Sequence, residues 1–136
     1  MIFPPPVELS LLGLYDPGVP GKERIVLRPT EPVNLAQFGI MVGYRPGNGD
    51  VIPLRDFFFW FSEIVVPTPS WIVVFTGEGK YEVTKHPTNE QPVYVYYWGR
   101  KKTLFHDPQF IPVIFQLSAV LLAHNPVAQI PEKTPQ

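Results

Sequence analysis

Between residues 71 and 105 the chain divides into short apolar runs separated by turn residues. Residues 71–76, 80–85, 93–98 and 103–105 are rich in Val, Ile, Tyr, Phe, Trp and Thr. These side chains stand off a pleated backbone with little loss of rotamer freedom, so each run predicts a strand. In 71–76 both alternating faces are apolar, which predicts a strand inside a sheet or between two layers. In 80–85, Lys80, Glu82 and Thr84 oppose Tyr81, Val83 and Lys85, so one face is solvated and the strand belongs near an edge. Gly77-Glu78-Gly79 lies between these two runs and can supply positive φ, which predicts a hairpin joining them directly.

The same reading covers the rest of the chain. Residues 7–15 alternate well enough for a strand and run into the turn-dense Asp16-Pro-Gly-Val-Pro-Gly21. Residues 24–28 set Ile25 and Leu27 against Arg24, Val26 and Arg28, a half-buried strand that Pro29 and Pro32 interrupt. Residues 33–44 read as one longer bent strand, with Gly39 and Gly43 marking a bulge or a close backbone approach. Pro46-Gly-Asn-Gly-Asp50 is a turn without the spacing of a phosphate-binding loop. Five consecutive aromatics, 57–61, carry no period that separates strand from helix, and their flat side chains favour strand.

Past residue 105 the pattern changes. Asp107-Pro108 matches a helix N-cap followed by proline at the first helical position, which predicts a helix over 110–123. Pro112 falls beyond the first turn and favours the competing reading, a strand over 113–117. Residues 124–136 hold three prolines and few large apolar groups and read as a tail, leaving 1–123 as one β-rich domain. Pro4-Pro5-Pro6 reads as a short polyproline II lead-in. The predicted fold is therefore mainly β: an antiparallel sandwich or open barrel of about seven or eight short strands, with one C-terminal helix if 110–123 is helical.

Composition sharpens this picture in three respects. Eighteen prolines among 136 residues argue against long helices and for short strands with rigid connections. Charged residues make up only 17% and the net charge is −1, so no concentrated basic field favours nucleic acid or an anionic membrane. The absence of cysteine removes disulfides, thiolate metal sites and cysteine nucleophiles. The start of the chain lacks the layout of a secretory signal, and the longest apolar stretch is too short to span a bilayer as a helix. A soluble cytoplasmic protein without a cofactor is the expectation.

Candidate chemistry is sparse. His86, His106 and His124 have no metal-ligand spacing, although His106 and Asp107 with Glu63 and His86 form one conceivable acid/base or metal cluster. Asp107 also has a purely structural reading as a cap. Ser10, Ser62, Ser70 and Ser118 lack a glycine elbow. Arg55, Asp56 and Glu63 flank the aromatic run either as pocket groups or as its solvated ends. Gly99-Arg-Lys-Lys102 beside aromatics could bind single-stranded nucleic acid, but three charges at a hairpin tip are commonplace and keep a sheet end hydrated.

Tyr94, Tyr96 and Trp98 form one face of the 93–98 strand, and with Trp60 and Trp71 they are the candidate binding residues. The row has two readings. Aromatics with a polar tip are enriched at protein interfaces and sugar sites, yet the row could equally be a second core face. Low charge and abundant aromatics favour a non-enzymatic interaction or assembly module that self-associates as a homodimer. A small-ligand or carbohydrate-binding β domain is the first rival. An enzyme using His106, Asp107 or Glu63 is the second.

Overall fold

The computed structural model describes residues 4–123, and the predicted tail 124–136 lies outside them. Ten strands follow in order: β1 (Leu9–Tyr15), β2 (Arg24–Pro29), β3 (Val33–Asn34), β4 (Phe38–Tyr44), β5 (Ile52–Trp60), β6 (Val65–Val66), β7 (Trp71–Phe75), β8 (Glu82–Lys85), β9 (Pro92–Tyr97) and β10 (Phe110–Gln116). A single turn of 3-10 helix, Leu35–Gln37, separates β3 from β4 and is capped by the Asn34 side chain, so the expected 33–44 strand is split. The described residues contain no α-helix.

A five-stranded sheet of order β1-β2-β7-β9-β8 faces a three-stranded sheet of order β10-β4-β5, and β3 and β6 form a small separate ladder. Neither sheet closes on itself, so the architecture is sandwich-like rather than a barrel. Alternation places Leu27, Ile72 and Tyr94 in one inward row of the larger sheet and Ile25, Val74 and Tyr96 in the next. The opposing sheet supplies Phe38, Ile40 and Val42 from β4, its central strand. Phe59 bridges the layers, its ring centroid 5.8 Å from that of Tyr96 and 5.7 Å from that of Trp98.

Three further expectations are corrected. First, residues 110–123 do not begin as a helix: β10 pairs antiparallel with β4 from Phe110 opposite Tyr44 to Gln116 opposite Phe38. Pro112 is tolerated because β10 is a sheet edge, where a missing N–H costs no ladder bond. Asp107 caps a turn instead, its carboxylate accepting from the Gln109 N–H at 2.9 Å.

Second, β7 and β8 do not form a hairpin, because β9 lies between them and runs parallel to β7. The Gly77-Glu78-Gly79 loop carries the chain over the end of β9. A Cβ at Gly79 would strike the Tyr97 ring, so the glycine there serves close approach. The hairpin that does form is β8–β9, closed where the His86 N–H donates to the Gln91 carbonyl.

Third, residues 103–105 are not a strand, since the Leu104 and Phe105 N–H groups donate to the carboxylate of Glu23 rather than to a neighbouring backbone.

Candidate functional site

The aromatic row points inward. Tyr94 and Tyr96 are buried and Trp98 packs against the same core, which settles their two readings in favour of core. The Tyr96 hydroxyl lies 3.0 Å from that of Ser62, and its ring meets Phe59, Phe61 and Tyr81. Burial raises the Tyr96 phenol above its ordinary value, with the Ser62 bond opposing the shift.

Trp71 lies half-buried on the outer face of the five-stranded sheet, where neighbouring side chains pack on its ring and one accepts from its indole N–H. The Arg28 guanidinium stands 4.0 Å from its ring centroid, and His86 stacks on it at 4.9 Å. Its indole N–H donates to Gln91 Oε1 at 3.0 Å, an oxygen that also accepts from Arg28. Trp60 sits on the other sheet, half its surface open, with its indole N–H donating to the Ala36 carbonyl at 2.7 Å. The five residues singled out from the sequence thus fall into three separate places.

Two surfaces stand out as able to receive a partner, beside a smaller depression of about 220 Å³ next to Trp71. One is a cleft of about 780 Å³ at one end of the sandwich. Its floor is Val42, Leu54, Phe57, Leu104 and Phe110, and its rim is the run Gly99-Arg-Lys-Lys102 with His106. A slip in sheet register builds the floor. Met41 lies opposite Phe58, but Gly43 lies opposite Pro53, so two steps along β4 are matched by five along β5. This bulge brings both Leu54 and Phe57 to the cleft.

The rim is fastened from behind. Glu23 is 1% exposed, and its carboxylate accepts four hydrogen bonds: from the N–H groups of Gly18 (2.7 Å), Leu104 (2.7 Å) and Phe105 (2.9 Å) and from the Thr76 hydroxyl (2.6 Å). All four donors are uncharged, three backbone N–H groups and one hydroxyl, so the buried carboxylate is fully engaged by dipoles. The Gly99 and Arg100 N–H groups donate to the carbonyls of Gly77 and Thr76, each at 2.9 Å. The cationic run is therefore displayed on a fixed loop.

The second surface is the outer face of the three-stranded sheet. Ile111, Val113 and Phe115 of β10 lie opposite Gly43, Met41 and Gly39, which in turn face Pro53, Phe58 and Trp60 of β5. A Cβ at Gly39 would come within 2.6 Å of the Phe58 ring, and one at Gly43 within 2.9 Å of Val113 Cγ2. The two glycines thus let large side chains lie across the middle strand. None of these outward positions carries a charge, and Phe58 and Trp60 remain 39% and 46% exposed.

Comparison of the chain with protein-family models, with curated proteins and with solved structures returns no match. The residues weighed for acid/base or metal chemistry are dispersed. His86 stacks on Trp71, while His106 borders the cleft beside Phe110 and Asp107 caps its turn. Among the described residues no group of three or more His, Asp or Glu side chains is placed to hold a metal ion. No helix among them is long and apolar enough to cross a membrane.

Glu23 left no signal in the sequence, because a glutamate between Lys22 and Arg24 resembles any solvated charge. The outer sheet face could have been found. Ile111, Val113 and Phe115 alternate with Pro112 and Ile114, a pattern apolar on both faces that the helix reading obscured.

Proposed function

We propose that this protein is a non-enzymatic assembly module that self-associates as a homodimer through the outer face of its three-stranded sheet. The observation that carries this reading is the uncharged row of Ile111, Val113, Phe115, Met41, Phe58 and Trp60 on a sheet whose opposite face already forms the core. A solvated sheet face ordinarily alternates to polar residues, and this one does not.

A second copy is the occupant that the chemistry favours. Selection of a different protein draws on complementary charge, and none of these six side chains offers any; the exposed charges of β5, Arg55 and Asp56, lie in its bulge between Pro53 and Phe58. Two copies related by a two-fold axis present the same flat apolar surface to each other, and a net charge of −1 gives them little mutual repulsion. Three strands about 4.8 Å apart and seven residues long at about 3.4 Å per residue cover a footprint of roughly 350 Å². That is less than half of the ~800 Å² per partner typical of stable complexes, so the association is weak and depends on concentration.

Sedimentation velocity over a wide range of protein concentrations tests the reading. The wild type should pass from monomer to dimer, and Phe58→Lys should remain monomeric with an unchanged far-UV spectrum. A wild type that stays monomeric throughout, or a Phe58→Lys variant that dimerises as the wild type does, overturns it.

A further inference from the structure

We propose that the cleft at the end of the sandwich binds an amphipathic anion: an apolar body carrying a single carboxylate. This goes beyond self-association, since the cleft and the outer sheet face share no lining residue.

The two halves of the ligand are dictated by the two halves of the site. The floor offers only hydrocarbon and aromatic surface from Val42, Leu54, Phe57, Leu104 and Phe110, enough to desolvate a small apolar body in a cleft of about 780 Å³. The rim is positive and only partly compensated, because no Asp or Glu among the described residues lines the cleft. Lys101 is paired with Glu78 at 3.6 Å, but both side chains are well exposed, so the pair is weak. Lys102 and His106 have no ion-pair partner among the described residues.

Arg100 joins the halves. Its guanidinium stands 4.3 Å from the Phe57 ring centroid, so one group bounds the apolar floor and offers N–H donors to a carboxylate above it. The main chain that carries them is held at both ends of the loop by the bonds from the N–H groups of Gly99, Arg100, Leu104 and Phe105.

The same residues disfavour single-stranded nucleic acid. A polyanion needs a track of cations with exposed rings between them, and here Tyr94 and Tyr96 are buried. Three consecutive cations, one of them paired, suit one small anion better than a chain of phosphates.

Isothermal titration of the full chain with octanoate, octan-1-ol and acetate tests the proposal, at a protein concentration where the wild type is monomeric. Octanoate should bind saturably, one per chain. Octan-1-ol should bind about tenfold more weakly, the ratio expected when one charge-assisted hydrogen bond is lost. Acetate should not bind measurably. Lys102→Ala alone and the double variant Arg100→Ala/Lys102→Ala should weaken octanoate progressively, and by a larger factor than they weaken octan-1-ol, with circular dichroism confirming the fold of each. Phe58→Lys should bind octanoate like the wild type. Absence of saturable octanoate binding, equal affinity for the alcohol, or full octanoate affinity in the double variant overturns the proposal. Binding of oligothymidylate that octanoate cannot displace overturns it as well.

Discussion

The outer faces of the two sheets both carry aromatic rings but surround them differently. On the five-stranded sheet each large ring has a partner: Trp71 lies against Arg28 and His86, Phe75 stacks on Tyr97 at 5.3 Å, and Arg24 stands 5.5 Å from the centroid of Tyr15 while pairing with Asp16. On the three-stranded sheet Phe58 and Phe115 lie against each other, their centroids 6.3 Å apart, and among the described residues no cation stacks on either ring. Arginine stems and guanidinium planes can cover aromatic surface while staying hydrated, so a sheet face finished in this way is complete in a monomer. The rings of Phe58 and Phe115 lack that finish.

Substitutions can break or sharpen this contrast, and they differ in how strongly they act on folding. The largest effect is expected at Glu23, on the five-stranded side. Glu23→Ala leaves three backbone N–H groups and the Thr76 hydroxyl without their acceptor, each stranded donor costing about 1–3 kcal/mol. Urea denaturation should show a loss of at least about 3 kcal/mol. The rim should also loosen, visible as faster amide exchange at Leu104 and Phe105.

Gly79→Ala comes next. Its new Cβ meets the Tyr97 ring where the β7–β8 loop crosses β9, and overpacking of this kind typically costs about 1–3 kcal/mol. Thermal denaturation measures it. Phe58→Lys, on the bare face, should cost less than about 1 kcal/mol, as surface changes do, because a lysine stem still covers Gly39. Its effect should instead appear in sedimentation as loss of dimer.

The smallest effect lies on the inner face that both sheets share. Because burial raises the Tyr96 phenol above its ordinary 10.0, the folded protein keeps that proton after the unfolded chain has lost it. The resulting stability is present in full below pH 10 and is lost as pH rises through the raised folded value. Urea midpoints measured in alkaline buffers should therefore fall with pH in the wild type and fall less steeply in Tyr96→Phe.

Much of the strand pattern was legible before the structure. β2, β7 and β9 fall where alternation put them, with Ile25, Leu27, Ile72 and Val74 in the core, and β8 is the exposed edge that its charges implied. Pairing was less legible, because side-chain period reports which residues share a face and says nothing about which strand lies alongside. Gly77-Glu78-Gly79 suits a hairpin as well as a crossing, and only the bulk of Tyr97 distinguishes them.

The site was half legible for the same reason. Its cations are contiguous in sequence, while its floor draws Val42, Leu54, Phe57 and Phe110 from three strands that meet only after folding.

The insertion of β9 between β7 and β8 also constrains the order in which the chain folds. The β8–β9 hairpin closes over the six residues from His86 to Gln91 and can form early as a local unit. Its free side then docks on β7 in parallel register, and that docking carries the 77–81 loop across the top. Pairing of β10 with β4 must wait longer, since those strands are separated by more than half of the described chain and their loop-closure entropy is the larger. A nascent chain would thus hold the larger sheet before the smaller one. The apolar outer face, with the third of its strands added last, comes into being only when the rest of the molecule is already in place.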